Sequence, residues 1–362
     1  MNTSDSDDAE IELEEDGSED GNIPDISYNV ASYGSDPDVD TLVRRIQNNT
    51  IEIPNFQRGY VWSIKEASKF VESLLLGLPV PGVFFADDSE TGKQLVIDGQ
   101  QRLRSLQFFY EGYFNPNKSS SAIRVFKLSN VQDRYEGKTY KDLEEKDRLK
   151  LDHSIIHATI VKQIHPTEDD TSMYHIFARL NAGGKKLAEQ EIRVALYHGP
   201  LIEMLERANN IDSWREIYGN PSSRLKDQEL ILRFLALYEG RDNYAPPMSE
   251  FLNLFANRHK GPKKEALENH LEMFSRCITL FNQALGRRAF RVRTAMNTAI
   301  YDACMVGLSK RLEVSEPSCE EIGERYSALL ESKDFIASIS RATARPDQVR
   351  NRISMAIDAF KQ

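Results

Sequence analysis

The chain has 362 residues, a formal net charge of −10 and three cysteines, a length that accommodates two or three domain-sized units with cores of their own. Cys277, Cys304 and Cys319 are widely spaced, with no Cys-x-x-Cys pair and no signal peptide ahead of them, which points to a reduced, cytoplasmic protein. No apolar run approaches the roughly 18 residues that span a bilayer, because "VESLLLGLPVPGVFF" is broken by Gly77, Pro79, Pro81 and Gly82, and a membrane protein is excluded.

The first 22 residues hold ten Asp or Glu and no Lys or Arg; removing those ten from the 56 acidic residues leaves 46, equal to the 46 Lys and Arg. The acidity is therefore a property of the tail. With almost nothing apolar to bury, residues 1–22 are expected to be a disordered acidic tail, in the first place a solubilising terminus and in the alternative a mimic of nucleic acid or a lure for a basic partner.

Beyond the tail, "VDTLVRRIQNNTIEIPNFQRGYVWSIKEASKFVESLLLGLP" predicts a short helix, a strand "IEI", a polar loop and a longer helix. Ser63 with Glu66 forms a capping box for that second helix, Gly77 suits its stop and Pro79 prevents continuation. "VPGVFFAD" and "KQLVID" flank the turn-rich "DSETG" as a β-hairpin. A charged stretch from Asp133 to Asp152 precedes "SIIHATIVKQI", where Ile156, Ala158 and Ile160 alternate as one face of a strand. "SMYHIFARLNAGGKKLAEQEIRVALYHGP" reads as helix, Gly-Gly turn, helix, and after Pro200 the apolar residues keep helical spacing. The expected fold is α+β, with a mixed unit over 23–200 and an all-helical one over 201–362.

The junction "LVIDGQQRLRSLQFFY" carries the most chemistry. A helix starting at Gly99 or Gln100 puts Leu103, Leu106, Tyr110 and Phe114 on one buried face, with Asp98 at or near the N-cap. The first-turn amides of such a helix have no intrahelical acceptor and favour a phosphate. Arg102 adds a bidentate phosphate contact, Gly99 permits close backbone approach, and Asp98 can hold Mg²⁺ directly or through water. The same residues also make an ordinary capped turn. A second polar cluster, "IPNFQRGYVW", sets Gln57 and Arg58 among Phe56, Tyr60 and Trp62; as a plain loop it would have aromatic anchors and a surface arginine.

Taken together, "IPNFQRGYVW", "VIDGQQRLRSL" and "IFARLNAGGKKLAEQEIRVAL" resemble the N-terminal domain of GmrSD-type modification-dependent restriction enzymes over roughly Val39 to Leu196. That family belongs to the ParB/sulfiredoxin-like superfamily. The resemblance implies a ParB/sulfiredoxin-like nucleotide-binding domain followed by the helical domain, with Asp98, Gly99, Gln100, Gln101 and Arg102 as the nucleotide site. It further implies NTP hydrolysis in bacterial anti-phage defence. Gln57 and Arg58 match the family's early polar motif. Asn181, Gly183, Gly184, Glu191 and Arg193 match its later signature, although the glycines also serve as a link between packed helices.

Such enzymes usually continue into a His-Asn-His-like nuclease, for which the region after Pro200 offers only His259 and His270, so no nuclease is expected in this chain. His153 and His157 are expected to be a polar pair at a strand start. Arg148–His153 and Arg193–His198 fit the spacing of a HEPN-type RNase, a pattern weak enough to match in two unrelated contexts. For DNA, "GRRAFRVRT" opens a helix with Arg287, Arg288, Arg291 and Arg293, and "RATARPDQVRNRI" adds Arg341, Arg345, Arg350 and Arg352; solvated surface ion pairs are the competing account. Two functions follow. One is an NTP-hydrolysing defence component, with Asp98 and Arg102 catalytic, whose helical half senses DNA or a separately encoded nuclease or effector. The other is a nucleotide-gated regulatory module without useful turnover.

Overall fold

The computed structural model describes residues 11–12, 30–53, 60–87, 92–114, 124–163, 171–180, 187–197, 199–261, 264–292, 294–340 and 343–361. The chain folds into two compact units, one of Ser27–Thr167 with Ser172–Leu187 and one of Met1–Ile26, Glu168–Thr171 and Ala188–Gln362. The division falls between Leu187 and Ala188, ahead of the helix that the sequence pattern places in the first unit. The first strand, β1 (Ile11–Glu12), belongs to the second unit.

The first unit is mixed α and β. Its elements begin with β2 (Val30–Ser35), α1 (Val39–Gln47), β3 (Ile51–Glu52) and α2 (Ile64–Leu76). They continue through β4 (Val83–Asp87), β5 (Gln94–Asp98), α3 (Gln100–Glu111), β6 (Tyr113–Phe114) and β7 (Arg124–Val125) to α4 (Glu145–Asp152), β8 (Ala158–Gln163) and α5 (Ser172–Leu180). Five strands form one mixed sheet in the order β2-β8-β4-β5-β3. The pairs β2/β8 and β4/β5 are antiparallel, and β8/β4 and β5/β3 parallel. α2 starts as expected: Glu66 N donates to Ser63 Oγ and Ser63 N to Glu66 Oε2, a device worth about 1 kcal/mol. Gly77 closes it in the left-handed conformation. The apolar stripes of α1 (Leu42, Val43, Ile46), α2 (Phe70, Val71, Leu74) and α3 (Leu103, Leu106, Phe109) share one core with Phe85 and Val96 of the sheet. Each such fully buried side chain contributes about 1.5–3 kcal/mol.

α3 ends earlier than its apolar pattern suggests. Gly112, left-handed, caps it, so Phe114 is buried from β6 rather than from the helix. The charged stretch before β8, for which the sequence pattern predicts no element, contains α4, capped by His153.

The second unit is almost entirely helical. It comprises α6 (Glu189–Leu196), α7 (Pro200–Asn209), α8 (Asp212–Tyr218), α9 (Lys226–Gly240), α10 (Met248–Arg258), α11 (Lys264–Leu285), β9 (Met296–Asn297), α12 (Thr298–Leu312), α13 (Cys319–Glu331), α14 (Lys333–Ser338) and α15 (Pro346–Lys361). α12 is the central rod, buried from Thr298 through Ser309. Its Gly307 lets α15 approach, since a Cβ there would stand 2.9 Å from the backbone of Ala356 and from the Phe360 ring. Part of the acidic tail takes part in this unit: β1 pairs parallel with β9, Ile11 opposite Met296 and Glu12 opposite Asn297. The expectation of disorder throughout residues 1–22 does not hold for these two.

Candidate functional site

β3 and β5 run parallel, so their carboxyl ends open on the same edge of the sheet, and it is there that the polar junction lies. A register shift between Phe84 and Phe85 on the neighbouring β4 brings Phe84 opposite Asp98, the last residue of β5; bulges of this kind re-aim the residues beside them. Gly99 is the N-cap of α3, at φ 102° and without a side-chain cap hydrogen bond. Asp98 is therefore one position ahead of the cap, near it as the sequence predicts. Glycine is required at 99 on two counts, because the backbone is left-handed and a Cβ would lie 2.5 Å from Val83 Cγ1. With no side chain capping it, the first turn of α3 presents its amides to an incoming anion.

Arg102 Nη2 donates to Asp98 Oδ2 at 2.8 Å. Arg102 is 16 % exposed and Asp98 48 %. The Nε of Arg102 is buried without a hydrogen-bond partner. The two residues assigned separate ligand contacts from sequence thus hold each other, and the guanidinium keeps unused donors. The arrangement is electrostatically neutral and half open, and an anion can compete for Arg102 where a cation competes for Asp98.

α3 also binds the chain on either side of the other polar motif. Gln101 Oε1 accepts from Val61 N at 3.0 Å and Trp62 N at 3.2 Å. Tyr60 Oη and Ser105 Oγ share a buried hydrogen bond of 2.6 Å, and Arg104 Nη2 donates to the Ile53 carbonyl at 3.5 Å. Burial pushes the Tyr60 hydroxyl up to about 12, the Ser105 bond partly offsetting it, so the group stays a neutral hydrogen-bonding anchor. Gln57 and Arg58 lie outside the described residues, but the segments before and after them are both fixed to α3. Gln101 is hence a positioning residue for the loop, a role its place in the motif did not reveal.

A pair that sequence reasoning did not join sits on the same edge. His157 Nδ1 lies 2.6 Å from Asp36 Oδ1, between the end of β2 and the start of β8. That is two strands from β5, or about 10 Å at the usual spacing. Nothing in the local sequence links positions 36 and 157; only the antiparallel pairing of Ser35 with Ala158 does.

Asn181, Gly183 and Gly184 lie outside the described residues, and Glu191 and Arg193 are buried in the helical unit. Glu191 caps α6 at the Ala188 amide and pairs with Arg224 at 3.1 Å. Arg193, fully buried, donates to Asn253, Glu229 and Glu189 at 2.8, 3.0 and 2.9 Å. These two hold helices together.

Of the arginines assigned to DNA, Arg287 and Arg288 are exposed on the 3-10 turn Gly286–Arg288, which follows α11 and does not open a helix. Arg291 is a strut: its guanidinium donates to the carbonyls of Thr294, Arg287, Ala289 and Ile217. Arg293 lies outside the described residues. In the second cluster Arg352 is fully buried, Arg345 pairs with Asp347 and Arg350 is exposed, while Arg341 lies outside the described residues. His259 and His270 share Glu239, at 3.1 and 3.3 Å, and those bonds hold the Glu239 carboxyl well below the usual range. Among the described residues no group of three His, Cys, Asp or Glu is placed to hold a metal ion, and no helix is long and apolar enough to cross a membrane.

Residues 39–198 match the family model described as GmrSD restriction endonuclease, N-terminal domain. No curated protein matches the chain.

Proposed function

With residues 39–198 belonging to the GmrSD restriction endonuclease N-terminal domain family, we propose that this chain is a nucleotide-binding, NTP-hydrolysing component of a restriction-type defence system. Its ParB/sulfiredoxin-like site is the turn from β5 into α3. The observation that carries the reading is convergence: both polar motifs are tied to one helix start, at a glycine that lets a ligand reach the backbone. A phosphate seated there meets the first-turn amides of α3 and the remaining donors of Arg102, with Gly99 beneath it. Gln100 and Gln101 complete the turn, and Gln57 and Arg58 come from the loop whose flanks Gln101, Tyr60 and Arg104 secure.

The donor set suits Mg²⁺ only in company with the nucleotide. Asp98 is the one carboxylate of the motif, and Mg²⁺ is ordinarily held by one or two carboxylates together with phosphate oxygens and water. When bound, the ion would neutralise charge on those oxygens. The orphaned Nε of Arg102 independently favours an anionic ligand.

A second reading, a nucleotide-gated regulatory module without useful turnover, is favoured by the Asp98–Arg102 pair itself. Phosphate and metal each draw one partner away from the other, so occupancy changes the junction whether or not a bond is cleaved. In either reading the helical unit, with Arg287, Arg288 and Arg293 as candidate phosphate contacts, senses DNA or a separately encoded nuclease or effector.

Calorimetry with non-hydrolysable ATP and GTP analogues, followed by phosphate-release assays with and without duplex DNA, tests both. Asp98→Ala and Arg102→Ala should each weaken binding by about 10–100-fold, the value of a charge-assisted contact of about 1.5–3 kcal/mol. Unchanged affinity in the double variant removes the site. Binding without phosphate release in any condition selects the regulatory reading.

A further inference from the structure

Arg287 and Arg288 project from the turn after α11, and among the described residues neither makes an ion pair. Arg291, next to them, directs its donors to carbonyls, and its pKa is lowered by burial and then by the charge of Arg287. This patch adjoins the strand pairing that anchors Ile11 and Glu12 of the N-terminal segment. Arg291 bridges Met296, and Met296 in turn pairs with Ile11 of β1. Ile11 and Glu12 sit within a run whose acidic residues include Asp5, Asp7, Asp8, Glu10, Glu14, Glu15 and Asp16, with no basic residue among the first 22. Residues four positions from the anchor stay within about 14 Å of it even when fully extended. Tethering also holds those carboxylates at an effective concentration on the order of millimolar.

We propose that the Arg287–Arg288 face is a polyanion-docking surface whose resident occupant is the chain's own N-terminal acidic segment, seated by β1 on β9 and displaced by nucleic acid. The ten carboxylates of the first 22 residues, and an arginine pair that makes no ion pair among the described residues, supply the charge complementarity, and the short parallel pairing supplies the address. The displacement rests on the DNA reading above; the docking of the tail does not. Attraction of this kind is screened within about 10 Å at 0.1 M salt, so the tail holds the surface against weak competitors and yields to a densely charged duplex.

Two full-length variants test the proposal. One neutralises the flanks of the anchor (Asp5→Asn, Asp7→Asn, Asp8→Asn, Glu14→Gln, Glu15→Gln, Asp16→Asn); the other is Arg287→Gln with Arg288→Gln. Amide hydrogen exchange over Met296–Asn297 and Ile11–Glu12 should quicken severalfold in both at low salt. In the wild type, 0.5 M NaCl should produce the same change. Exchange that is unaffected in both variants overturns the docking. A labelled 30-base-pair duplex, titrated at several salt concentrations, should bind the tail-neutral variant about tenfold more tightly than wild type at low salt, the gap closing as salt rises. The arginine variant should bind less tightly, with a log-log salt slope shallower by about 0.9 per phosphate no longer neutralised. If exchange responds but duplex affinity is the same in all three proteins, the tail still docks and the DNA reading fails.

Discussion

Arg102 and Arg193 are built alike and used differently. Each lies in the first turns of a helix, each belongs to the segment matched over residues 39–198, and each pairs with an acid four residues earlier, Asp98 at 2.8 Å and Glu189 at 2.9 Å. Arg193, however, is fully buried and bonded to residues from α6, α9 and α10. Arg102 is partly exposed and retains an unpartnered Nε. A motif arginine whose donors are saturated by side chains from elsewhere in the fold is architecture. One that keeps unused donors beside a helix start without a side-chain cap is available to a ligand. Spacing in the sequence does not distinguish the two; the number of claims on the guanidinium does.

Substituting each in turn puts the contrast to its hardest test. Arg193→Leu leaves Glu229 and Asn253 without the guanidinium between them, and removing one partner of a buried ion pair destabilises by about 3–5 kcal/mol; urea denaturation should register that loss. Arg102→Leu should cost no more than about 1 kcal/mol, as for a solvent-accessible pair. Equal losses from the two substitutions would erase the distinction.

Gln101 sharpens the same line from inside the motif, since its side chain serves the loop rather than the ligand. Gln101→Ala should destabilise by about 1–2 kcal/mol through two amides left without their acceptor. Exchange at Val61 and Trp62 should accelerate and nucleotide affinity fall as the loop loosens. If affinity falls while those amides remain as protected as in wild type, Gln101 touches the nucleotide instead.

The smallest effect belongs to the helical unit. The Glu239 carboxyl is depressed below its ordinary 4.5 by its bonds to His259 and then His270. A group with a depressed folded pKa contributes stability that is full above the unfolded value and is lost as pH falls below it. The melting temperature should therefore drop on acidification below about pH 4.5, and Glu239→Gln should flatten that part of the profile. A profile unchanged by the substitution would show that the histidines do not hold the carboxylate in solution.

Much of the fold was legible because its signals are local. Ser63 and Glu66 announced the start of α2, Gly77 its end, and Ile156, Ala158 and Ile160 one face of the strand at β8. β2 escaped notice because "VASYGS" is small and polar, with its four inner residues exposed at the sheet's edge. Phe114 was misplaced on α3 because its spacing fits the helix, although Gly112 was the stop signal in plain view. At the candidate site, the spacing of Asp98 and Arg102 permits their pairing, but it does not reveal that each would be the other's partner. Long-range contacts were invisible altogether: Arg291 reaches the carbonyl of Ile217, 74 positions away, and Asp36 meets His157 across 121. Such contacts depend on topology, which periodicity and capping do not encode.

The boundary between the two compact units falls after Leu187, whereas the family match runs on to residue 198. The inherited cassette and the foldable cassette are therefore different objects. Cut at the end of the match, the piece would carry α6 away from α9 and α10, and Arg193 would keep Glu189 but lose the Glu229 carboxylate and the Asn253 amide oxygen that it also bonds. Recombination that moved the matched segment into another chain would have to bring a compatible helical acceptor with it. The tail end of the match thus demands helical partners for α6 wherever the matched segment goes.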